Sequence, residues 1–136
     1  MRRSVFAAVL CLTLSTAGGG RAETPSCKAS PLVTQPCFTV HARLFFANGT
    51  PSARLWPVGT RRLLGVDGPE GDAESEQLLP PNVRLLATRQ AAGDLRPLMG
   101  TFRVGPMERS RPGWMRHVCI QSASHLVLDV RREARR

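Results

Sequence analysis

Apolar and polar residues alternate in several short segments of this chain, and that pattern decides the class of fold. The clearest segment runs from Phe38 to Phe46, where every second residue is apolar. Alternation with a period of two is typical of a strand that buries one face. The segment is followed by Asn48-Gly49, a dipeptide that readily adopts positive φ in tight turns, and residues 53–58 are predicted to be the returning strand. The sequence therefore predicts a β-hairpin here.

Later segments repeat this pattern over shorter lengths. Four of them are predicted to be strands: 61–66, 100–104, 114–120 and 126–130. Residues 83–92 follow Asn82, which can cap a helix, and precede Gly93, which can end one. A helix is favoured there, although the same residues also alternate as a strand would. About six short strands with one short helix predict a mainly β fold, a small antiparallel sandwich or barrel.

The first 22 residues have the three parts of a secretory signal peptide. Arg2 and Arg3 are basic, residues 5–14 form an apolar run too short to span a membrane, and Gly20 and Ala22 are small residues before a cleavage point. Cleavage there removes three arginines and no acidic residue, which lowers the formal net charge from +9 to +6. We predict a periplasmic or secreted bacterial protein with no transmembrane segment after cleavage.

The rest of the chain is predicted to hold one domain. Residues 23–36 contain three prolines and no periodicity, which is typical of a disordered leader. A single β domain then covers 37–130, and residues 131–136 form a basic tail. A domain of this size buries only a modest core, so a cross-link would stabilise it.

Three cysteines follow the predicted signal peptide: Cys27, Cys37 and Cys119. In an oxidising compartment, cysteines that can meet form disulfides. Three cysteines permit three single pairings, and spacing alone does not choose among them. The pair Cys37–Cys119 is favoured because both residues lie in or beside predicted strands, whereas Cys27 lies in the predicted leader. Cys27–Cys37 is the alternative, and each pairing leaves one thiol.

No common catalytic signature occurs in the chain, so we predict no catalytic residue and no cofactor. The nearest constellation is a Cys₂His₂ set. Cys37 and His41 would share one face of the first strand, and His117 and Cys119 would share one face of a later strand. If those strands were neighbours, the four side chains could bind zinc or copper, as in a metal-binding or enzymatic envelope protein. The disulfide is favoured over this metal site, because two cysteine sulfurs near enough to share a metal ion would be oxidised to a disulfide in that compartment.

Arginines in the predicted strands supply a second candidate site. They could form an anion-binding stripe if several share one face: Arg43, Arg54, Arg61, Arg62, Arg103 and Arg116. Lipopolysaccharide or another acidic envelope polymer is the polyanion nearest to an exported protein, and another envelope protein is the alternative partner. Nucleic acid is less favoured because the few aromatic residues are needed for the core. The alternative interpretation is that these arginines only keep the outer face soluble.

Four segments carry a recognisable pattern: C-F-T-V-H-A-R at 37–43, N-G-T-P-S at 48–52, R-L-W-P-V-G-T-R-R-L-L-G-V at 54–66 and V-C-I at 118–120. The pattern resembles small exported bacterial proteins of unassigned function. The resemblance implies a further cysteine in the segment aligned with 104–106, where Gly105 stands here. It implies export and the mainly β architecture, and it implies no activity. The sequence therefore predicts an exported, non-catalytic binding or structural module of the bacterial envelope, with anion binding as the first alternative.

Overall fold

The computed structural model describes residues 26–69, 71, 79–91 and 96–129. Within these residues the chain forms five strands and one helix, in the order β1 (Phe38–Phe46), β2 (Ala53–Pro57), β3 (Leu64–Val66), α1 (Pro81–Ala91), β4 (Leu98–Pro106) and β5 (Arg116–Leu128). The predicted mainly β class with one short helix is confirmed. The predicted signal peptide and basic tail lie outside the described residues.

The five strands close into a barrel in the order β1-β2-β3-β5-β4, and β4 pairs with β1 to complete it. Neighbouring strands are antiparallel except β3 and β5, which are parallel. A five-stranded Greek-key barrel with its helix between β3 and β4 has the arrangement of the OB-fold. That fold carries many unrelated functions, so the function has to be argued from a site.

Alternation along each strand places one set of side chains inside the barrel. Ala42 and Leu44 of β1, Leu55 of β2 and Phe102 of β4 are fully buried, and Phe102 is the largest of the buried side chains. The predicted hairpin is confirmed, because β1 pairs with β2 over Ala42–Phe46. Residues 47–52 connect the two strands as a six-residue loop, a longer connection than a two-residue turn.

The segment that could have been helix or strand is a helix that begins at Pro81, a residue well suited to the first helical turn. Val83 and Ala87 are one turn apart and fully buried. Asn82 lies inside the first turn, where its Nδ2 donates a hydrogen bond to the Ala123 carbonyl oxygen at 2.7 Å. Asn82 therefore fastens the helix to β5, whereas the sequence predicted it as the residue preceding the helix.

Residues 26–36, which we call the strap, pack on the outside of the barrel, so the prediction that they belong to a disordered leader is wrong. The backbone N–H groups of Thr34 and Gln35 donate to the Pro106 carbonyl oxygen at 3.1 and 3.4 Å. The Thr34 hydroxyl donates to the Met107 carbonyl oxygen at 3.1 Å. These bonds hold the strap against the end of β4 without strand or helix periodicity, which is why the sequence pattern did not reveal it.

The disulfide joins Cys27 to Cys119, so the predicted pairing of Cys37 with Cys119 is wrong. The strap brings Cys27 back over β5, where its sulfur bonds to Cys119, whereas Cys37 contacts β5 through a different residue. Cys37 is a free cysteine whose Sγ accepts a hydrogen bond from Gln121 Nε2 at 2.9 Å. In the part of the chain that the structure describes, no helix has the length and apolar character needed to cross a lipid bilayer.

Gly100 occupies the point where the pairing of β4 with β5 changes register. A Cβ atom at this position would lie 2.5 Å from Leu126 Cδ2 and 3.1 Å from the Ser124 carbonyl oxygen. We expect Gly100→Ala to lower the free energy of unfolding by about 1–3 kcal/mol, because the extra methyl group overpacks the barrel. Urea denaturation measures this loss, with the neighbouring Thr101→Ala as the control. Equal stability of the two variants would contradict the close packing at Gly100.

Candidate functional site

A cleft of about 520 Å³ opens at the end of the barrel where β3 and β5 begin. It exists because β1 is longer than its partner: β1 pairs with β2 only from Ala42 onward. Phe38 and Val40 therefore extend beyond the end of β2, with side chains that pack against the core from this open end. The walls are two loops, the 58–63 loop between β2 and β3 and the 107–115 loop between β4 and β5.

The bottom of the cleft is apolar. We call the following residues the apolar floor: Phe38, Val40, Pro57, Leu63, Leu64 and Met115. Pro57 and Leu64 are buried, and the other four are half-buried. The floor is therefore an extension of the barrel core to the surface, left open between the two loops.

Four arginines line the same cleft. Arg61 and Arg62 come from the 58–63 loop, Arg111 comes from the 107–115 loop, and Arg116 begins β5. Among the lining residues that the structure describes, none is an aspartate or glutamate. The ion pair between Arg43 and Asp129 and the hydrogen bond between His117 and Asp67 involve no residue of this lining, although His117 directly follows Arg116. The described lining is therefore a concentration of positive charge without a carboxylate of its own.

Two of these arginines are held in place by neighbouring groups. The Arg116 guanidinium lies 5.6 Å from the centroid of the Phe38 ring, and its Nε donates to the Glu108 carbonyl oxygen at 3.0 Å. Arg62 Nη1 donates to Ser110 Oγ at 3.3 Å, which links the two loops across the cleft. Side chains positioned before a ligand arrives lose less conformational entropy on binding, so this arrangement favours recognition.

Two tryptophans lie at or near the cleft and are exposed. Trp114 lines it with 74% of its surface accessible. Trp56 is 44% exposed on β2, and its Nε1 donates to the Thr60 carbonyl oxygen at 2.7 Å, in the 58–63 loop. Indole rings are large apolar groups that proteins usually bury in a core or an interface. An exposed tryptophan beside four arginines therefore marks this end of the barrel as a candidate binding surface.

Three of the six arginines considered as an anion-binding stripe reach the cleft, Arg61, Arg62 and Arg116. The strand register places the other three on the outer face of the barrel. Arg43 forms an ion pair with Asp129 at 3.5 Å and lies 6.0 Å from the centroid of the Trp56 ring. Arg54 donates to the Pro51 and Asn48 carbonyl oxygens and so holds the 47–52 loop. These two arginines stabilise the outer surface of β1 and β2 and are not part of the cleft.

The remaining four predicted arginines divide between a strand surface and the cleft. Arg103 is exposed on β4, opposite Thr39 of β1. Arg116 is in a strand as predicted, but Arg61 and Arg62 lie in a loop. Arg111 was not among the predicted residues because it lies in a Pro/Gly/Arg loop with no periodicity. Only the closing of the barrel brings Arg111 next to the 58–63 loop.

The predicted Cys₂His₂ set does not assemble. The Cys119 sulfur is bonded to Cys27 and has no thiolate to offer a metal ion. His117 Nδ1 lies 2.6 Å from Asp67 Oδ2, and His41 is exposed on β1. The described residues contain no group of three or more His, Cys, Asp or Glu side chains placed to hold a metal ion. The four predicted ligands therefore have separate structural settings.

The His117–Asp67 contact joins the start of β5 to the residue that follows β3. Asp67 follows β3 and is buried, and His117 is the second residue of β5. β3 and β5 pair over only three residues, Leu64–Val66. A side-chain contact just beyond that short pairing helps keep the start of β5, and with it Arg116, beside the 58–63 loop.

Known proteins supply no functional assignment for this site. Comparison with models of protein families, with curated proteins and with solved structures finds no match. A proposal for the function therefore rests on the composition and geometry of the cleft.

Proposed function

We propose that this chain is an exported, non-catalytic binding module that holds an anionic ligand in the cleft at the end of the barrel. The observation that carries the proposal is the convergence of four arginines from two loops and β5 on one cleft, whose described lining residues include no aspartate or glutamate. Guanidinium groups bind phosphate, sulfate and carboxylate through paired hydrogen bonds, so several of them around one cleft favour an anion.

Export is part of this proposal. The first 22 residues have the pattern of a signal peptide, and disulfides such as Cys27–Cys119 persist in oxidising compartments. The resemblance to small exported bacterial proteins agrees with a periplasmic or secreted location. The ligands within reach there are lipopolysaccharide and other acidic molecules of the envelope.

We expect Arg61→Ala to weaken binding of short-chain polyphosphate by about fivefold, and the Arg61→Ala/Arg62→Ala double variant to weaken it by about 25-fold. Each substitution removes a charged donor from the cleft. Isothermal titration calorimetry measures the affinities, and we expect the affinity of the unmodified protein to fall as salt concentration rises.

The matched control is Arg103→Ala, which removes the same charge from an exposed position on β4. We expect this variant to bind polyphosphate as the unmodified protein does. If Arg103→Ala lost as much affinity as Arg61→Ala, net charge alone would govern binding, and the assignment of the anion to the cleft would be wrong.

A further inference from the structure

We infer that the ligand of the cleft is an anionic amphiphile, a single molecule whose acidic headgroup contacts the arginines and whose hydrocarbon chain lies on the apolar floor. The inference rests on the proposed function and specifies the chemical class of its ligand. It follows from the apolar floor that lines the same cleft as the arginines, since the charged headgroup alone would leave that surface uncovered.

The lining divides into two parts of different chemistry. Among its fourteen described residues, six form the apolar floor and four are arginines. Arg61, Arg62 and Arg111 are exposed, whereas the floor is half-buried or buried. A ligand that satisfies both parts needs a charged end toward solvent and an apolar end toward the barrel.

The cleft has few free groups for the hydroxyls of a sugar. Among the described lining residues, the neutral hydrogen-bonding side chains are Thr60, Ser110 and Trp114. The Thr60 hydroxyl donates to the Pro57 carbonyl oxygen at 3.0 Å, and Ser110 Oγ accepts from Arg62. Sugar hydroxyls placed on the apolar floor would be buried without partners, and buried polar groups without partners weaken binding. The lining therefore favours a hydrocarbon chain over a glycan.

Trp114 adds an indole ring to the same lining. It belongs to the same loop as Arg111 and lines the cleft next to Met115 of the apolar floor. An indole ring combines a large apolar face with one N–H donor, which suits a boundary between a charged headgroup and a chain. The cleft volume of about 520 Å³ also lies in the usual range for a site that holds one small molecule.

Three probes separate the contributions of headgroup and chain: dodecyl phosphate, dodecyl maltoside with the same chain and a neutral headgroup, and polyphosphate without a chain. Each probe is titrated into the full-length protein and its binding is measured by calorimetry, with the two dodecyl compounds kept below their micelle-forming concentrations. We expect dodecyl phosphate to bind at least tenfold more tightly than either of the others. Among alkyl phosphates, we expect each methylene group that enters the cleft to raise the affinity by about fourfold.

Substitutions test the two parts separately. We expect Leu63→Ser to weaken dodecyl phosphate binding by about tenfold and to leave polyphosphate binding unchanged. Leu85→Ser, at an exposed leucine on α1, is the matched control and should change neither. Trp114→Ala is a second variant that does not endanger the fold, because this side chain is mostly exposed, and it should act as Leu63→Ser does.

The possible outcomes distinguish this inference from the proposed function. Polyphosphate could bind as tightly as dodecyl phosphate, with neither Leu63→Ser nor Trp114→Ala changing the affinity for dodecyl phosphate. In that case the inference of an amphiphilic ligand is wrong and the proposed anion binding stands. If dodecyl maltoside binds as tightly as dodecyl phosphate and Arg61→Ala has no effect, the proposed anion binding is wrong as well. Failure of all three probes to bind would overturn both.

Discussion

Replacing Cys27 with alanine lowers the free energy of unfolding by about 4 kcal/mol, whereas replacing Cys37 with alanine changes it by less than about 1 kcal/mol. The expected difference arises because Cys27 and Cys119 close a loop across 92 positions of sequence. A cross-link over so long a segment lowers the entropy of the unfolded chain, and this entropy loss is equivalent to about 4 kcal/mol of stability. Cys27 is also buried, so its loss loosens the strap over β5.

Urea denaturation of the two variants measures this difference, and Cys37→Ala is the matched control because it removes a cysteine outside the disulfide. Peptide mapping without reductant should recover a fragment that links Cys27 to Cys119. A larger loss of stability in Cys37→Ala than in Cys27→Ala, or a linked fragment that contains Cys37, would contradict the pairing seen in the structure.

Phe102→Ala has the second large expected effect, a loss of about 3–5 kcal/mol in the free energy of unfolding. Phe102 is the largest fully buried side chain, and its strand β4 pairs with both β1 and β5. Truncation to alanine leaves a cavity inside the barrel that the neighbouring strands, fixed by their hydrogen bonds, close only in part.

The control for this prediction is Arg103→Ala, the next residue along the strand, whose side chain is exposed on the outside of the barrel. We expect this variant to lose less than about 0.5 kcal/mol. Thermal and urea unfolding should both show that Phe102→Ala is less stable than Arg103→Ala. Equal losses from adjacent positions would show that β4 does not have one buried and one exposed face.

Much of the local structure could be predicted from the sequence, because strand alternation depends on neighbouring residues. The period of two from Phe38 to Phe46 predicted β1, and the same parity predicted that Ala42 and Leu44 face the core. Asn48-Gly49 predicted the turn that follows. Asn82 before and Gly93 after residues 83–92 led to a helix being preferred over a strand, and the structure has the helix α1 there.

The candidate site was predicted only in part. Arg61, Arg62 and Arg116 were predicted as members of an anion-binding set, because arginine is charged wherever it lies. Their common location was not predictable, since the 58–63 loop and β5 are far apart in sequence. Arg111 was missed because its loop has no periodicity. The apolar floor was missed because nothing local indicates that β1 extends beyond the end of β2.

The strap shows why an absence of periodicity is a weak guide to order. Residues 26–36 contain no repeating pattern, yet they are held by hydrogen bonds to Pro106 and Met107 and by the disulfide to β5. Periodicity reports only how a regular element buries one of its faces. An irregular segment can be ordered by contacts with distant residues, which leave no trace in its own sequence.

Local alternation of apolar and polar residues was thus enough to establish the β class, the first hairpin and the inward-facing side chains. The order of the strands, the Cys27–Cys119 disulfide and the joining of four arginines with an apolar floor were decided by the tertiary structure alone. The physical reason is that side-chain direction follows from the backbone geometry of each strand, whereas adjacency depends on which strands pair when the barrel closes.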